Sequence, residues 1–161
     1  MQLYLLRHGE ALTNSFDDAQ RPLSPRGEEQ AHCAARVLEK LNVQLDSIFC
    51  SPLLRAQQTA HIIQSTVGAG DVTTTEHLVP SSDHRQIFNQ LNQHSWGSVL
   101  LVGHEPHLST LISLVISDSR IARVEMKTSS LALCDVVLPM ELGKGVLRWL
   151  VNPELSRLLI A

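Results

Sequence analysis

The sequence predicts a three-layer α/β/α sandwich, a mostly parallel sheet with an antiparallel edge. Three observations predict it. Apolar strand-like runs alternate with helix-like segments, Leu3–Leu6 is an uninterrupted apolar run, and a late pair of runs flanks a Gly-containing turn. Taking the elements in order, Leu3–Leu6 reads as a strand buried on both faces, ending at Arg7-His8-Gly9. Ser24-Pro25 opens a helix with Ser24 as N-cap and Pro25 at the first position. Ala31, Ala34, Ala35, Leu38 and Leu41 carry its helical period. Leu45–Cys50 is a second strand. Ser51-Pro52 repeats the cap-plus-proline signal and opens a helix bearing Arg55, Thr59 and Ile62.

Ser65–Asp71, with Gly68 and Gly70, reads as a loop, Val72–Glu76 as a weak strand and Asp83–Gln93 as a helix. Val99–Val102 is the clearest strand and stops at Gly103-His104, before an apolar helix over Leu108–Ile116. Leu131–Leu138 and Val146–Val151 predict an antiparallel hairpin about Gly143–Gly145. The tail Leu147–Ile160 reads as a last strand and terminal segment packed on the core. With no repeat, linker or low-complexity tract, residues 1–161 are expected to form a single domain.

Composition narrows the function. Hydrophobic residues make up 43% and charged residues 18%, which is globular composition. The net charge of −3 lacks the basic excess of a nucleic-acid surface. No apolar run reaches membrane-spanning length, and the first residues carry neither a basic n-region nor a signal-like core. Cys33, Cys50 and Cys134 are few, odd in number and widely spaced, as expected of small core residues in a reducing compartment. A cytoplasmic protein without membrane or nucleic-acid partners is the expectation.

In an open α/β sheet, ligands bind beyond the carboxyl ends of the strands. If the strands ending at Arg7, Cys50 and Val102 are parallel and adjacent, His8, Arg7, Arg55 and His104 converge there. Guanidinium groups match the geometry of a multi-oxygen anion and keep their charge. Arg55, in a first helical turn, would add backbone N–H groups. A neutral imidazole among them can attack phosphorus and split one displacement into two. Gly9 and Gly103 would let the backbone turn sharply and approach the ligand. Taken singly, Arg-His-Gly is a weak tripeptide, Arg55 a solvated charge and His104 a satisfied strand-end histidine. Their joint occurrence after three apolar strands points to a site.

These residues resemble the histidine phosphatase superfamily, with its phosphoglycerate-mutase-like fold. The resemblance rests on Leu5–Glu10, Asn14, Leu23–Gly27, Ser51–Thr59 and Val102–His104, in family order over roughly the first two-thirds of the chain. It implies that His8 is the phosphorylated nucleophile, that Arg7, Arg55 and His104 line the phosphate pocket, and that Asn14 makes a further polar phosphate contact. Within the superfamily the chain is most similar to small SixA-type phosphohistidine phosphatases, which carry an Arg-Pro-Leu-Thr-like segment, here Arg21-Pro22-Leu23-Ser24. That likeness makes Arg21 an additional phosphate ligand. Lys127–Ser130 resembles a late loop bordering the pocket.

Two departures from the wider superfamily bear on the substrate. The short interval between Arg55 and His104 leaves little room for cap insertions, so a shallow, open site suited to a protein substrate is expected. Many members carry a glutamate acid where Leu78-Val79-Pro80 has proline, leaving Glu10, Glu76 and Asp83 as carboxylates whose part as acid or base is open. A phosphate ester needs a proton on its departing oxygen, whereas imidazole leaves from phosphohistidine without one. The resulting expectation is a monomeric, metal-independent phosphohistidine phosphatase needing no cofactor. Its partner would be a phosphohistidine-bearing protein, such as a histidine-phosphotransfer domain or a phosphotransferase-system carrier. The alternatives are a phosphomonoesterase for a small metabolite and a non-catalytic module that reads phosphorylated partners.

Several other residues have two readings. Glu10 either orients Arg7 and helps activate water, or balances the arginines. Asp17 and Asp18 either tether Arg21 or keep the loop soluble. His107 and Glu105 beside His104 hint at a metal, but neighbouring arginines would repel a cation and the ligand set is poor in carboxylates and thiolates. His32, His61, His77, His84 and His94 read as surface or helix-face residues.

Overall fold

The computed structural model describes residues 1–13 and 17–161. Its sheet has six strands: β1 (Gln2–Arg7), β2 (Ser47–Cys50), β3 (Val72–Thr74), β4 (Ser98–Gly103), β5 (Leu131–Asp135) and β6 (Val146–Val151). Their order is β3-β2-β4-β1-β5-β6. The pairs β3–β2, β2–β4 and β4–β1 are parallel, and β1–β5 and β5–β6 are antiparallel. The predicted mixed sheet is therefore present, with its antiparallel edge at the late hairpin. A β-bulge falls between Leu133 and Cys134.

Five helices cover the sheet: α1 (Pro25–Lys40), α2 (Leu54–Val67), α3 (His84–Leu91), α4 (His107–Ser117) and α5 (Pro153–Ile160). The alternation of β1 side chains sorts them by face. Leu3 and Leu5 join a cluster with Ile87, Phe88 and Leu91 of α3 and Leu108 and Leu111 of α4. Tyr4 and Leu6 join the opposite cluster with Ala34, Ala35 and Leu38 of α1 and Ala56, Ala60 and Ile63 of α2. Leu3, Leu5 and Leu6 are fully buried, each burial contributing about 1.5–3 kcal/mol before the cost of ordering the chain. Cys33, Cys50 and Cys134 are buried free thiols, and burial raises the Cys50 thiol to about 11.

The start of α1 is as expected: Ser24 accepts a hydrogen bond from the Gly27 amide, with Pro25 in the first turn. The start of α2 is not. Its N-cap is Leu53, without a side-chain cap bond. Ser51 is still tied to the sheet, its N–H donating to the Val102 carbonyl at 3.0 Å. The chain must turn through Pro52 and Leu53 before a helix can begin. Arg55 nevertheless falls in the first turn of α2, which continues to Val67 and ends on Gly68 at φ +65°.

Other boundaries shift modestly. β2 starts at Ser47 rather than Leu45, β3 ends at Thr74 and β5 at Asp135. The tail is not merely a terminal segment, because Asn152 caps α5 by accepting from the Leu155 amide, with Pro153 at its start. This repeats the signal that opens α1. α5 lies against α1, where Lys40 donates to the Leu159 carbonyl and Arg157 pairs with Glu29. His84 is also not a surface residue. It is buried and stacked on His107, ring centroids 4.1 Å apart, where the start of α3 meets the start of α4.

Candidate active site

The sheet order makes β2, β4 and β1 adjacent and parallel, so their carboxyl ends open on one place. The backbone is woven across these ends. The His8 amide donates to the Gly103 carbonyl at 3.0 Å, and the Ser51 amide to Val102. The late loop closes the other side, the Ser129 amide lying 3.0 Å and 3.1 Å from the carbonyl oxygens of Arg7 and His8. Ser129 adopts φ +55° there, in the left-handed region, as the segment 127–130 turns into β5. The likeness of Lys127–Ser130 to a pocket-bordering loop thus corresponds to a real contact with β1.

His8 is only 9% exposed, Arg55 6% and His104 2%. His8 Nδ1 lies 2.6 Å from the Gly9 carbonyl, which can only accept, so Nδ1 carries the proton. Nε2 is then the unprotonated nitrogen, and Arg55 Nε–H points at it from 3.3 Å. Burial lowers the His8 pKa to about 4 against the raising effect of the Gly9 carbonyl, and the charges of Arg55, Arg7 and Arg21 lower it further. His8 is a neutral imidazole at pH 7. The His104 ring lies 4.8 Å from it, centroid to centroid, tilted by 57°. Burial, then the proximity of His8 and Arg55, lowers His104 to about 3.

Arg7 turns from β1 to donate from Nη1 to the Met126 carbonyl at 2.7 Å, and its buried Nε has no partner among the described residues. Both ring nitrogens of His104 are likewise buried and have no partner among the described residues. Buried polar groups are nearly always paired, so unpaired donors and acceptors gathered beside a neutral histidine mark a place built for a ligand. Arg21 approaches from the rim. Its Nε donates to the Leu12 carbonyl at 2.7 Å and its Nη1 to Asp18 Oδ1 at 2.9 Å. The expected position of Asn14 lies outside the described residues.

Asp18 does more than tether Arg21. Its Oδ2 accepts from Arg55 Nη2 at 3.1 Å, and its backbone carbonyl accepts from Arg55 Nη1 at 2.8 Å. The acidic candidates lie elsewhere. Glu10 accepts from Ser24 Oγ at 3.0 Å and sits 3.9 Å from Arg26, so it supports the start of α1 rather than orienting Arg7. Glu76 is exposed, and Asp83 caps α3 by accepting from the Arg85 amide. His107 faces Ser82 Oγ at 3.0 Å and stacks on His84, which removes it from any metal set with His8. The interval between Arg55 and His104 holds α2, β3, a short turn, α3 and β4. Asp18, rather than a long cap, covers Arg55.

Three supporting residues carried no assigned role in the sequence reading. Thr59, buried in α2, accepts from the Gly9 amide at 3.2 Å and donates to the Arg55 carbonyl at 2.8 Å, linking the turn after β1 to the helix of Arg55. Gln30 accepts from the Glu10 amide and Gln58 from the Leu23 amide. Thr59 and Gln58 lie inside the Ser51–Thr59 motif, but which backbone groups they satisfy depends on the docking of α2. Gly9 has a different role from the one expected. A Cβ there would overlap the Gly27 carbonyl, so its bareness serves the contact of β1 with α1 rather than the approach of a ligand.

The fold and site define a class: an α/β protein with a neutral histidine and arginines at the carboxyl end of a parallel sheet. The family described as Histidine phosphatase superfamily (branch 1) matches residues 3–79. The phosphohistidine phosphatase SixA of Escherichia coli (strain K12) is 25% identical over 157 residues, covering 95% of this chain and 94% of that one. A structure of the protein histidine phosphatase SixA complexed with tungstate superposes with a TM-score of 0.87 at 24% identity, covering 95% and 97% of the two chains. The α-ribazole phosphatase from Shigella flexneri shares the fold at a TM-score of 0.69 and 24% identity, over 95% and 97%. The chain belongs to the histidine phosphatase superfamily and is a phosphatase of that class. Among the described residues, no helix is long and apolar enough to cross a membrane.

Proposed function

We propose that the protein removes the phosphoryl group from phosphohistidine on a partner protein, with His8 as the nucleophile. The observation that carries this reading is the state of His8: Nδ1–H held by the Gly9 carbonyl, Nε2 unprotonated, and arginines around it. In the first step Nε2 attacks phosphorus in line and the P–N bond to the partner imidazole breaks. With its distal nitrogen protonated, that imidazole leaves neutral. His8 becomes a phosphoimidazolium whose Nδ1–H stays on the ring and donates to the Gly9 carbonyl. In the second step water attacks phosphorus, the electron pair of the breaking bond returns to Nε2, and the water's proton leaves with phosphate or to solvent. Neither step needs a proton on a departing alkoxide.

Arg7, Arg21, Arg55 and His104 would hold the equatorial phosphoryl oxygens. Their fixed donors supply the charge stabilisation on which phosphoryl transfer depends, without a metal or organic cofactor. The relationship to SixA supports the substrate class, and its tungstate complex shows that relative taking up a tetrahedral oxyanion. The likeness to an α-ribazole phosphatase favours a second reading, a small-metabolite phosphomonoesterase. That reading asks for a carboxylic acid beside the leaving oxygen. Asp18, a carboxylate in contact with the site arginines, is held below the ordinary carboxylate range by its bonds to Arg21 and Arg55, so it is a poor proton donor. We therefore favour the P–N substrate, with the chain acting as one monomeric domain in the cytoplasm.

The test is phosphate release from phosphohistidine-loaded carrier proteins by the native protein and by His8→Ala, with acid-labile phosphate on His8 trapped by rapid quench. Metal-free release lost in His8→Ala supports the reading. Brisk turnover of alkyl phosphates, with no release from several unrelated carriers, would replace it with the small-metabolite phosphatase. Phosphoprotein binding with no covalent intermediate would make the chain a reader.

A further inference from the structure

The guanidinium groups assigned above to the phosphoryl group are already engaged. Asp18 presents three oxygens to two arginines: Oδ1 to Arg21 Nη1 at 2.9 Å, Oδ2 to Arg55 Nη2 at 3.1 Å, and its backbone carbonyl to Arg55 Nη1 at 2.8 Å. A phosphoryl group also presents three oxygens, and guanidinium forks recognise both anions. Asp18 is itself open to solvent, its side chain 62% exposed, while the Arg55 side chain beneath it is 7% exposed. The carboxylate thus lies over a buried cation. The exposure of Asp18 makes the contact weak enough to break. Its attachment to the same chain keeps the carboxylate at high effective concentration.

We propose that Asp18 is an internal anion that holds the phosphoryl-binding positions of Arg21 and Arg55 in the resting enzyme, so that only a dianionic phosphoryl group displaces it. This rests on the reading of Arg21 and Arg55 as phosphoryl ligands. A monoanion replaces one negative charge with one and gains nothing over the tethered carboxylate. A terminal phosphoryl group carries a second charge and spreads it over three oxygens, so it wins the same positions. Asp18 would therefore be a specificity-determining residue that excludes carboxylates and phosphodiesters from a site of otherwise general affinity for anions. Displaced from both guanidinium groups, the Asp18 carboxylate would turn to the solvent it already faces.

The opposite role for Asp18, holding Arg21 and Arg55 in position for the ligand, predicts effects of opposite sign. The experiment is calorimetric titration at pH 7.5 of the native protein, Asp18→Asn and Asp18→Ala with inorganic phosphate and with dimethyl phosphate, after circular dichroism has shown all three folded. The expected result is about tenfold tighter phosphate binding in both variants, with dimethyl phosphate binding only to the variants. Weaker or unchanged phosphate binding in both variants overturns the proposal and leaves the phosphatase reading standing. Dimethyl phosphate binding equally well to the native protein also overturns it. Failure of all three proteins to bind phosphate would overturn both this proposal and the phosphoryl pocket on which it rests.

Discussion

Arg55 Nε lies 3.3 Å from His8 Nε2, and the two residues come from different elements, α2 and the turn after β1. The guanidinium faces the one ring nitrogen with a free lone pair, where phosphorus would have to arrive. Arg55 therefore aligns the imidazole when the site is empty and can serve the transferring group when it is full. Arg55→Ala is expected to lower kcat/KM about 10²–10³-fold, as for loss of one preorganised donor. Arg55→Lys should recover little of this, since an ammonium cannot span the same fork. Steady-state kinetics on a phosphohistidine carrier checks both, and near-native activity in Arg55→Ala would remove Arg55 from the mechanism.

The Thr59 hydroxyl joins the Gly9 amide to the Arg55 carbonyl. Thr59→Val keeps the shape and removes both bonds, leaving a buried N–H unpaired. The expected cost is about 1–3 kcal/mol of folding free energy, measured by urea denaturation. A fall in kcat beyond any loss of folded protein is expected as well, because the turn after His8 and the backbone of Arg55 lose the hydroxyl that bridges them. Thr59→Ser should restore much of both.

Gly9 and Gly27 meet backbone to backbone. A Cβ on Gly27 would overlap the Glu10 carbonyl just as one on Gly9 would overlap that of Gly27. Gly27→Ala is expected to cost about 3 kcal/mol by forcing α1 from the turn that carries His8. A thermal melt within a degree or two of the native protein would show that the contact is not so tight.

The buried histidines set the acid limb of stability. Burial lowers His8 and His107 to about 4 and His104 to about 3, against 6.5 when unfolded. Between these values the unfolded chain binds more protons than the folded one, so unfolding free energy rises with pH there. The neutral-imidazole contribution is full above about pH 6.5 and is lost as pH falls through 6.5 toward 4. Chemical denaturation at pH 7.5, 6 and 5 should show falling stability, with constant stability as the contrary result. His8 should remain a competent nucleophile in the free enzyme below pH 6, so kcat/KM should show no inflection near 6.5 from this residue.

The departure of imidazole without an acid on the enzyme gives a leaving-group prediction. Across aryl and alkyl phosphates, turnover should rise steeply as the leaving alcohol becomes more acidic, with alkyl phosphates about 10²–10⁴-fold slower than they would be with a positioned acid. A flat dependence would mean that some carboxylate does protonate the leaving oxygen, against the placement of Glu10, Glu76 and Asp83.

The sequence by itself determined the order of strands and helices as far as the last strand, the Ser24 cap of α1, the burial of β1 on both faces and the residues gathered after three strand ends, but not the terminal helix α5. These follow from local pattern, because an apolar run without polar alternation has few folded solutions and a serine before proline has a local use. It determined less where local and tertiary signals compete. Ser51-Pro52 carries the cap signal, but the Ser51 amide belongs to the sheet, so the helix waits until Leu54. Only the tertiary structure decided that Glu10 serves Ser24, that Thr59 bridges Gly9 and Arg55, that His84 stacks on His107 and that Asp18 lies on Arg55. Each is a contact between residues whose separation is set by the docking of one element on another. Side-chain chemistry names the groups able to pair, but only packing brings a particular pair within hydrogen-bonding distance.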